Sequence, residues 1–241
     1  MSAESLELVR ELNLELSNKQ GAQLAALLDV LAADEHAPTA ARDARRARDT
    51  HVADSLVALE VEAVRSAWTI ADVGSGAGFP GLALAAALPR AQVHLVESQR
   101  RACEFLARAS AAAALENVDV VCARVEEWRD GLRANDAVVV RALAPQPVVL
   151  EYAAPLLRAS GTLVDWRGGR SREEERAARG AAGQLGLELR EVRRVTPFAG
   201  ARERHLHVFA KVADTPARFP RRVGVARKRP LGAAPSDRSR G

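Results

Sequence analysis

The run Asp72-Val73-Gly74-Ser75-Gly76-Ala77-Gly78-Phe79-Pro80-Gly81 sets an acid at the end of a short apolar segment and follows it with four glycines. A backbone without Cβ atoms can turn this tightly and let a ligand touch it. Such a turn delivers the ligand to the N-terminus of the next helix, where backbone N–H groups point outward. Three ligands compete for the loop. A phosphate-cradling Walker loop needs a Lys and a Ser or Thr after its last glycine, and Leu82 and Ala83 follow Gly81 instead. The dinucleotide fingerprint G-x-G-x-x-G is met at Gly76, Gly78 and Gly81, but Asp72 would repel a pyrophosphate. S-adenosylmethionine has no phosphate. It carries a sulfonium and an ammonium, and an acid at Asp72 attracts both. A ligand-free strand-to-helix turn explains the loop less well, because four glycines cost much chain entropy.

The loop needs a strand before it and a helix after it, and the pattern supplies both many times over. Strands fit Thr69–Val73, Gln92–Glu97, Val118–Cys122, Asp136–Arg141, Gly161–Asp165, Leu187–Val195 and His205–Lys211. Helices fit Gly81–Leu88, Gln99–Ala114, Pro147–Leu157 and Arg172–Leu185. Most of the strands are short apolar runs, as expected when helices cover both faces. The alternation predicts a mostly parallel seven-stranded sheet of the α/β class. The last two strands have no helix between them and are expected to pair antiparallel. Ahead of this domain (66–212), helical spacing over 4–15, 20–33 and 52–64 predicts an N-terminal helical cap, 1–65. Residues 213–241, rich in Pro, Gly and Arg, read as a basic extended tail.

In open α/β sheets, ligands bind beyond the carboxyl ends of the strands. The second strand ends at Glu97, whose carboxylate can accept two hydrogen bonds from ribose hydroxyls. The third is followed by Arg124, Val125 and Glu126. Val125 is placed to flank an adenine ring, and Glu126 to accept from its exocyclic amine. The fourth ends at Arg141, whose fork suits a carboxylate or a phosphate, unless an ion pair with a helix holds it. Phe79 is placed to pack on the ligand or on a base. No triad is visible. His205 and His207 share a strand face, but no third ligand accompanies them and no metal is expected. His51, Asp54 and Ser55 fall together on the third helix with no partner evident. Asp and Ser are unusual in a helix interior.

The 241 residues suffice for one large domain with additions, and the net charge is +4. That excess sits in the tail: residues 218–241 hold eight Arg or Lys against Asp237 alone. A basic tail suggests a polyanionic partner, nucleic acid above all. Arg124, Arg221, Arg222 and Lys228 are the candidate phosphate contacts. Aromatic residues make up only 4%, too few for a broad base-stacking platform. No long apolar run suggests a membrane span, and the acidic N-terminus does not resemble a secretory signal. Cys103 and Cys122 lack metal-ligand spacing. They read as reduced core fillers of a cytoplasmic protein.

Together these motifs resemble the GidB/RsmG family of bacterial 16S rRNA guanine-N7 methyltransferases, over about His51 to Leu231. The segment from Asp72 to Gly81 is similar to that family's signature, most specifically in Phe79-Pro80-Gly81. His51-Val52-Ala53-Asp54-Ser55-Leu56, Glu97-Ser98-Gln99-Arg100-Arg101, Arg124-Val125-Glu126 and Arg141-Ala142 follow its order, as do Phe219-Pro220-Arg221-Arg222-Val223-Gly224 and Lys228-Arg229-Pro230-Leu231. The chain departs from the family pattern in Arg100 and Arg167, where lysines are usual, and in Pro38-Thr39-Ala40. The resemblance implies a Rossmann-like class I fold. It implies S-adenosylmethionine bound by residues matching Gly74, Phe79, Val125, Glu126 and Arg141, and a 16S rRNA or small-subunit substrate. N7 carries a lone pair and loses no proton, so alignment suffices and no catalytic base is expected. The alternatives are a methyltransferase of a non-RNA substrate and an inactive ribosome-associated protein. A monomer is expected.

Overall fold

The computed structural model describes residues 16–34, 47–169, 171–198, 201 and 203–232. The helix expected over 4–15 lies outside them, as does 233–241 of the tail. Seven strands form one sheet: β1 (Thr69–Val73), β2 (Gln92–Glu97), β3 (Val118–Cys122), β4 (Asn135–Arg141), β5 (Leu157–Arg167), β6 (Leu187–Val195) and β7 (Arg204–Lys211). Their order is β3-β2-β1-β4-β5-β7-β6. The strands from β3 to β5 run parallel, while β7 is antiparallel to both β5 and β6.

Side chains on a strand alternate between faces, and here each face carries its own core. Ile70, Val93, Leu95, Val139, Val164 and Leu206 pack on one side. Ala71, Val73, Val138, Val140, Leu163 and Phe209 pack on the other. The first side is covered by α1 (Asn18–Ala33), α2 (Gly81–Ala87) and α3 (Arg100–Ala112), the second by α4 (Gln146–Ala153) and α5 (Arg172–Leu185). A capping box between Ser17 and Gln20 starts α1, satisfying amide groups that a helix start leaves open. Its Leu24, Leu27 and Leu31 are buried. Gln20 Nε2 donates to Ala87 O (2.8 Å) at the end of α2.

Four stretches differ from expectation. The helix expected over Pro147–Leu157 ends at Ala153, and β5, expected at Gly161–Asp165, already begins at Leu157 and runs to Arg167. The third helix is not continuous. It opens with a π-helical turn (Arg48–Ala53), passes through Asp54–Leu56 into a 3-10 turn (Val57–Glu60), and resumes at Glu62–Arg65 after an extended Val61. The Ser55 hydroxyl donates back to His51 O, a contact that bends helices. The C-terminal segment is not extended as far as Gly232. Phe219 and Ala226 are buried against α4, and Leu231 packs on the same core. Finally, Cys103 and Cys122 form a disulfide, with Cα atoms 5.8 Å apart. The first turn of α3 lies beside the end of β3, a proximity that a sequence separation of 19 residues does not reveal.

Candidate active site

The glycine loop leaves β1 at the point where strand order reverses, between β1 and β4. A crevice is expected at such a switch point. Gly74 sits at φ +75°, and a Cβ there would stand 2.5 Å from Leu143 Cδ1. Only glycine lets the backbone pass this wall. At Gly76, also at positive φ, a Cβ would meet nothing nearer than Gly74 O at 3.9 Å, so this turn faces open space. The cleft beyond it measures about 230 Å³ and is lined by Gly74, Glu97, Arg124, Val125 and Glu126, among others.

Glu97 is fixed on its rim. Oε1 accepts from the Ser98 and Gln99 amides (2.6 and 2.8 Å), and Oε2 accepts from Gly76 N (3.1 Å). A carboxylate offers about four acceptor positions. About one therefore stays open toward the cleft, where the sequence suggested two. Val125 lies on the floor within a single 3-10 turn (Val125–Glu127). Glu126 also lines the cleft, and its Oε1 accepts from Gly224 N (3.0 Å) in the C-terminal segment. Arg124 is exposed at the mouth.

Asp72, Phe79 and Arg141 do not line this cleft. Asp72 is buried behind the loop, where Oδ2 accepts from Gly81 N (2.9 Å) at the start of α2. Burial pushes its pKa up to about 7, although the Gly81 amide and the Arg141 charge oppose this. Gly78 lies between, against Leu82 and Leu106. Phe79 is buried, with its ring 5.0 Å from that of His51. Arg141 turns to the irregular helix: Nη1 donates to Thr50 O (2.9 Å) and to Asp54 Oδ2 (3.0 Å). Arg204 approaches the other Asp54 oxygen at 3.5 Å, and Trp166 Nε1 donates to Asp54 O (2.8 Å). His51, Asp54 and Ser55 thus form a second wall beside the glycine loop. Desolvation, reinforced by the Arg141 charge, lowers the His51 pKa to about 4. The ring is therefore neutral near pH 7. Sequence reasoning found these three residues but not their partners. The signal was the buried-type spacing of polar residues in an apolar helix.

Of the candidate RNA contacts in the tail, Arg222 and Lys228 are exposed. Arg221 is not available: it makes a two-pronged ion pair with Glu151, a buried carboxylate of α4 (Nε to Oε1, 2.6 Å). An uncompensated carboxylate there would be costly, which accounts for the docked segment. Tyr152 and Arg227, which the sequence did not single out, line the cleft with Glu126. Elsewhere, Gln146, Asp165, Arg167 and His207 form a buried polar network, in which Gln146 Nε2 and Arg167 Nε both donate to Asp165 Oδ2 (3.0 and 2.7 Å). His205 Nδ1 lies 3.0 Å from Gly168 O. Among the described residues, no group of three or more His, Cys, Asp or Glu could hold a metal ion. None of their helices is long and apolar enough to cross a membrane.

The sheet order and the glycine loop at its switch point define a Rossmann-like fold of the class I methyltransferase type. Solved structures that share the fold include NSun6 from Pyrococcus horikoshii (TM-score 0.54, 16% identity, covering 66% of this chain and 52% of that one) and precorrin-6y C5,15-methyltransferase from Geobacter metallireducens (0.51, 15%, 65% and 87%). The chain belongs to the GidB family, described as rRNA small subunit methyltransferase G, whose profile matches residues 20–206. Relatives called ribosomal RNA small subunit methyltransferase G include that of Rubrobacter xylanophilus, 43% identical over 187 residues (75% of this chain, 72% of the relative). That of Thermotoga neapolitana is 38% identical over 205 residues (85% and 88%).

Proposed function

We propose that this chain transfers a methyl group to N7 of one guanosine in 16S rRNA, with S-adenosylmethionine held in the cleft by Glu97, Val125 and Glu126. The observation that carries the reading is Glu97. Three backbone N–H groups fix it at the end of β2, with an acceptor left over for a hydroxyl. The residues present fit the cofactor. Gly74 brings bare backbone to the cleft, Glu97 an acceptor for a ribose hydroxyl, and Val125 an apolar flank for a base. When bound, the cofactor supplies an electrophilic methyl group.

The chain's own task is then to bind, orient and exclude water. N7 presents a lone pair and releases no proton, so no side chain must act as a base. Rate enhancement comes from alignment in a shielded site. The wall of Phe79, neutral His51 and Arg141 adjoins the loop, and the Arg141 charge is balanced by Asp54. Arg141 is committed to Asp54, so its role is to order this wall; a direct contact with the cofactor's carboxylate would need that pair to rearrange. Arg124, Arg222 and Lys228 supply exposed cations for phosphates of the RNA, and Arg221 holds the segment that bears two of them. Asp72 acts from behind the loop by fixing the start of α2. Acting on rRNA or the small subunit, the enzyme would work in the cytoplasm as a monomer, a compartment that keeps thiols reduced and in which the Cys103–Cys122 bridge is open to reduction.

The test uses purified protein, labelled S-adenosylmethionine and small-subunit particles from cells lacking the modification. Chemical cleavage at N7-methylguanine maps the label. Label at a single guanosine is the expected result. Cofactor binding without transfer to rRNA would refute the substrate.

A further inference from the structure

Residues 219–229 were expected to reach outward to RNA, yet they turn inward. Phe219 is buried, with Arg218 packed over its ring at 4.9 Å. Arg221 pairs with Glu151, and its Nη2 also donates to Arg229 O (2.9 Å), closing the segment into a loop. Gly224, at φ +77°, donates its amide to Glu126 Oε1 across the cleft rim. The one-turn helix Val225–Lys228 follows. It brings Arg227 to the cleft, where Nη2 donates to Leu143 O (3.3 Å) and the side chain lines the cavity beside Tyr152 and Glu126.

We infer that this segment is a strap forming one wall of the cofactor cleft, and that Arg227 is a cofactor-binding residue at the adenosine end. The inference rests on reading the cleft as the S-adenosylmethionine site. Three features point to the adenosine end. Arg227 shares the cavity with Val125, Glu126 and Leu143, the residues after β3 and β4. Glu126 contacts the strap through Oε1 and shares a side-chain hydrogen bond with Tyr152, which also pairs with Arg227, so the three form one polar edge of the cavity. The adenosine end has no phosphate, so an arginine there meets a planar base, and guanidinium groups stack well on such faces. The Arg221–Glu151 pair is the latch that sets the strap's position. Glu151 is 1% exposed and Arg221 is its only ion-pair partner among the described residues.

The experiment measures S-adenosylmethionine affinity by calorimetry for the full chain, for Arg227→Ala and for Arg227→Lys. It also follows trypsin cleavage at the strap's arginines with and without the cofactor. Arg227 is exposed but bonded to Leu143 O and Tyr152, so melting temperatures without cofactor are measured for each variant, and affinities are compared at a temperature where all are folded. Arg227→Ala is expected to weaken binding about five- to tenfold. Arg227→Lys, which keeps the charge but loses the planar fork, is expected to recover part of the loss. The cofactor should slow strap cleavage several-fold in the unaltered chain and less in Arg227→Ala. Affinity unchanged in Arg227→Ala, with normal binding by the unaltered chain, overturns the assignment of Arg227 alone. Absence of binding by the unaltered chain overturns the cofactor reading of the cleft, and the strap's role falls with it.

Discussion

Removing the Glu97 carboxylate is the sharpest perturbation of the proposed site. Three amides converge on it, from Gly76 in the loop and from Ser98 and Gln99 at the start of α3. One acceptor position remains for a ribose hydroxyl. Hydrogen bonds to charged groups contribute about 1.5–3 kcal/mol, which is roughly ten- to a hundredfold in affinity. Glu97→Gln keeps the shape and the acceptor for Ser98 and Gln99. It sets an NH2 against the Gly76 amide, donor to donor, and removes the charge. It should weaken S-adenosylmethionine binding by about tenfold. Glu97→Ala also frees the loop from α3 and should cost about a hundredfold. Calorimetric titration of both variants, with circular dichroism to verify the fold, gives the answer. Affinities within about threefold of the unaltered chain, in folded protein, would refute the placement of the ribose at Glu97.

Two further expectations concern stability. Burial raises the Asp72 pKa from the ordinary 3.8 of an aspartate to about 7. The folded state thus keeps a proton that the unfolded chain releases. Stability from this group is full below about pH 4 and falls as pH rises through about 7. Asp72→Asn should flatten that decline, measured as urea midpoints at pH 5 and pH 8. A decline that persists unchanged in the variant would assign it to another group. Reduction of the Cys103–Cys122 disulfide reopens a loop with a sequence separation of 19. Loop-closure entropy puts the loss at about 3 kcal/mol. The reduced protein should therefore unfold at lower denaturant, with the exposed Cys122 thiol newly open to alkylation while Cys103 stays buried until unfolding. An unchanged midpoint after verified reduction would contradict this.

The sequence by itself determined the sheet and its ligand edge. Strands β1, β2, β3 and β6 run over the ranges expected; β1 and β2 are apolar along most of their length because helices cover both faces, while β3 and β6 lie at the two edges of the sheet and are largely exposed or half-buried. Glycines set between a strand and a helix have few other uses, so the loop was legible, and so was Glu97 at the following strand end. Motifs held in one short segment carry their geometry with them. What only the tertiary structure decided lies between segments. Arg141 and Asp54 are 87 positions apart in the chain, and Arg221 and Glu151 are 70 apart. No local pattern says which of several arginines meets which buried acid. The same limit hid the disulfide, and it hid the docking of residues 219–229 against α4 and the cleft, which commits Arg221 to Glu151 and leaves Arg222 and Lys228 exposed. Charge composition reports how many cations a segment has. Burial of Phe219 and Glu151 decides which of them face inward, since an acid taken out of water needs a partner brought to it.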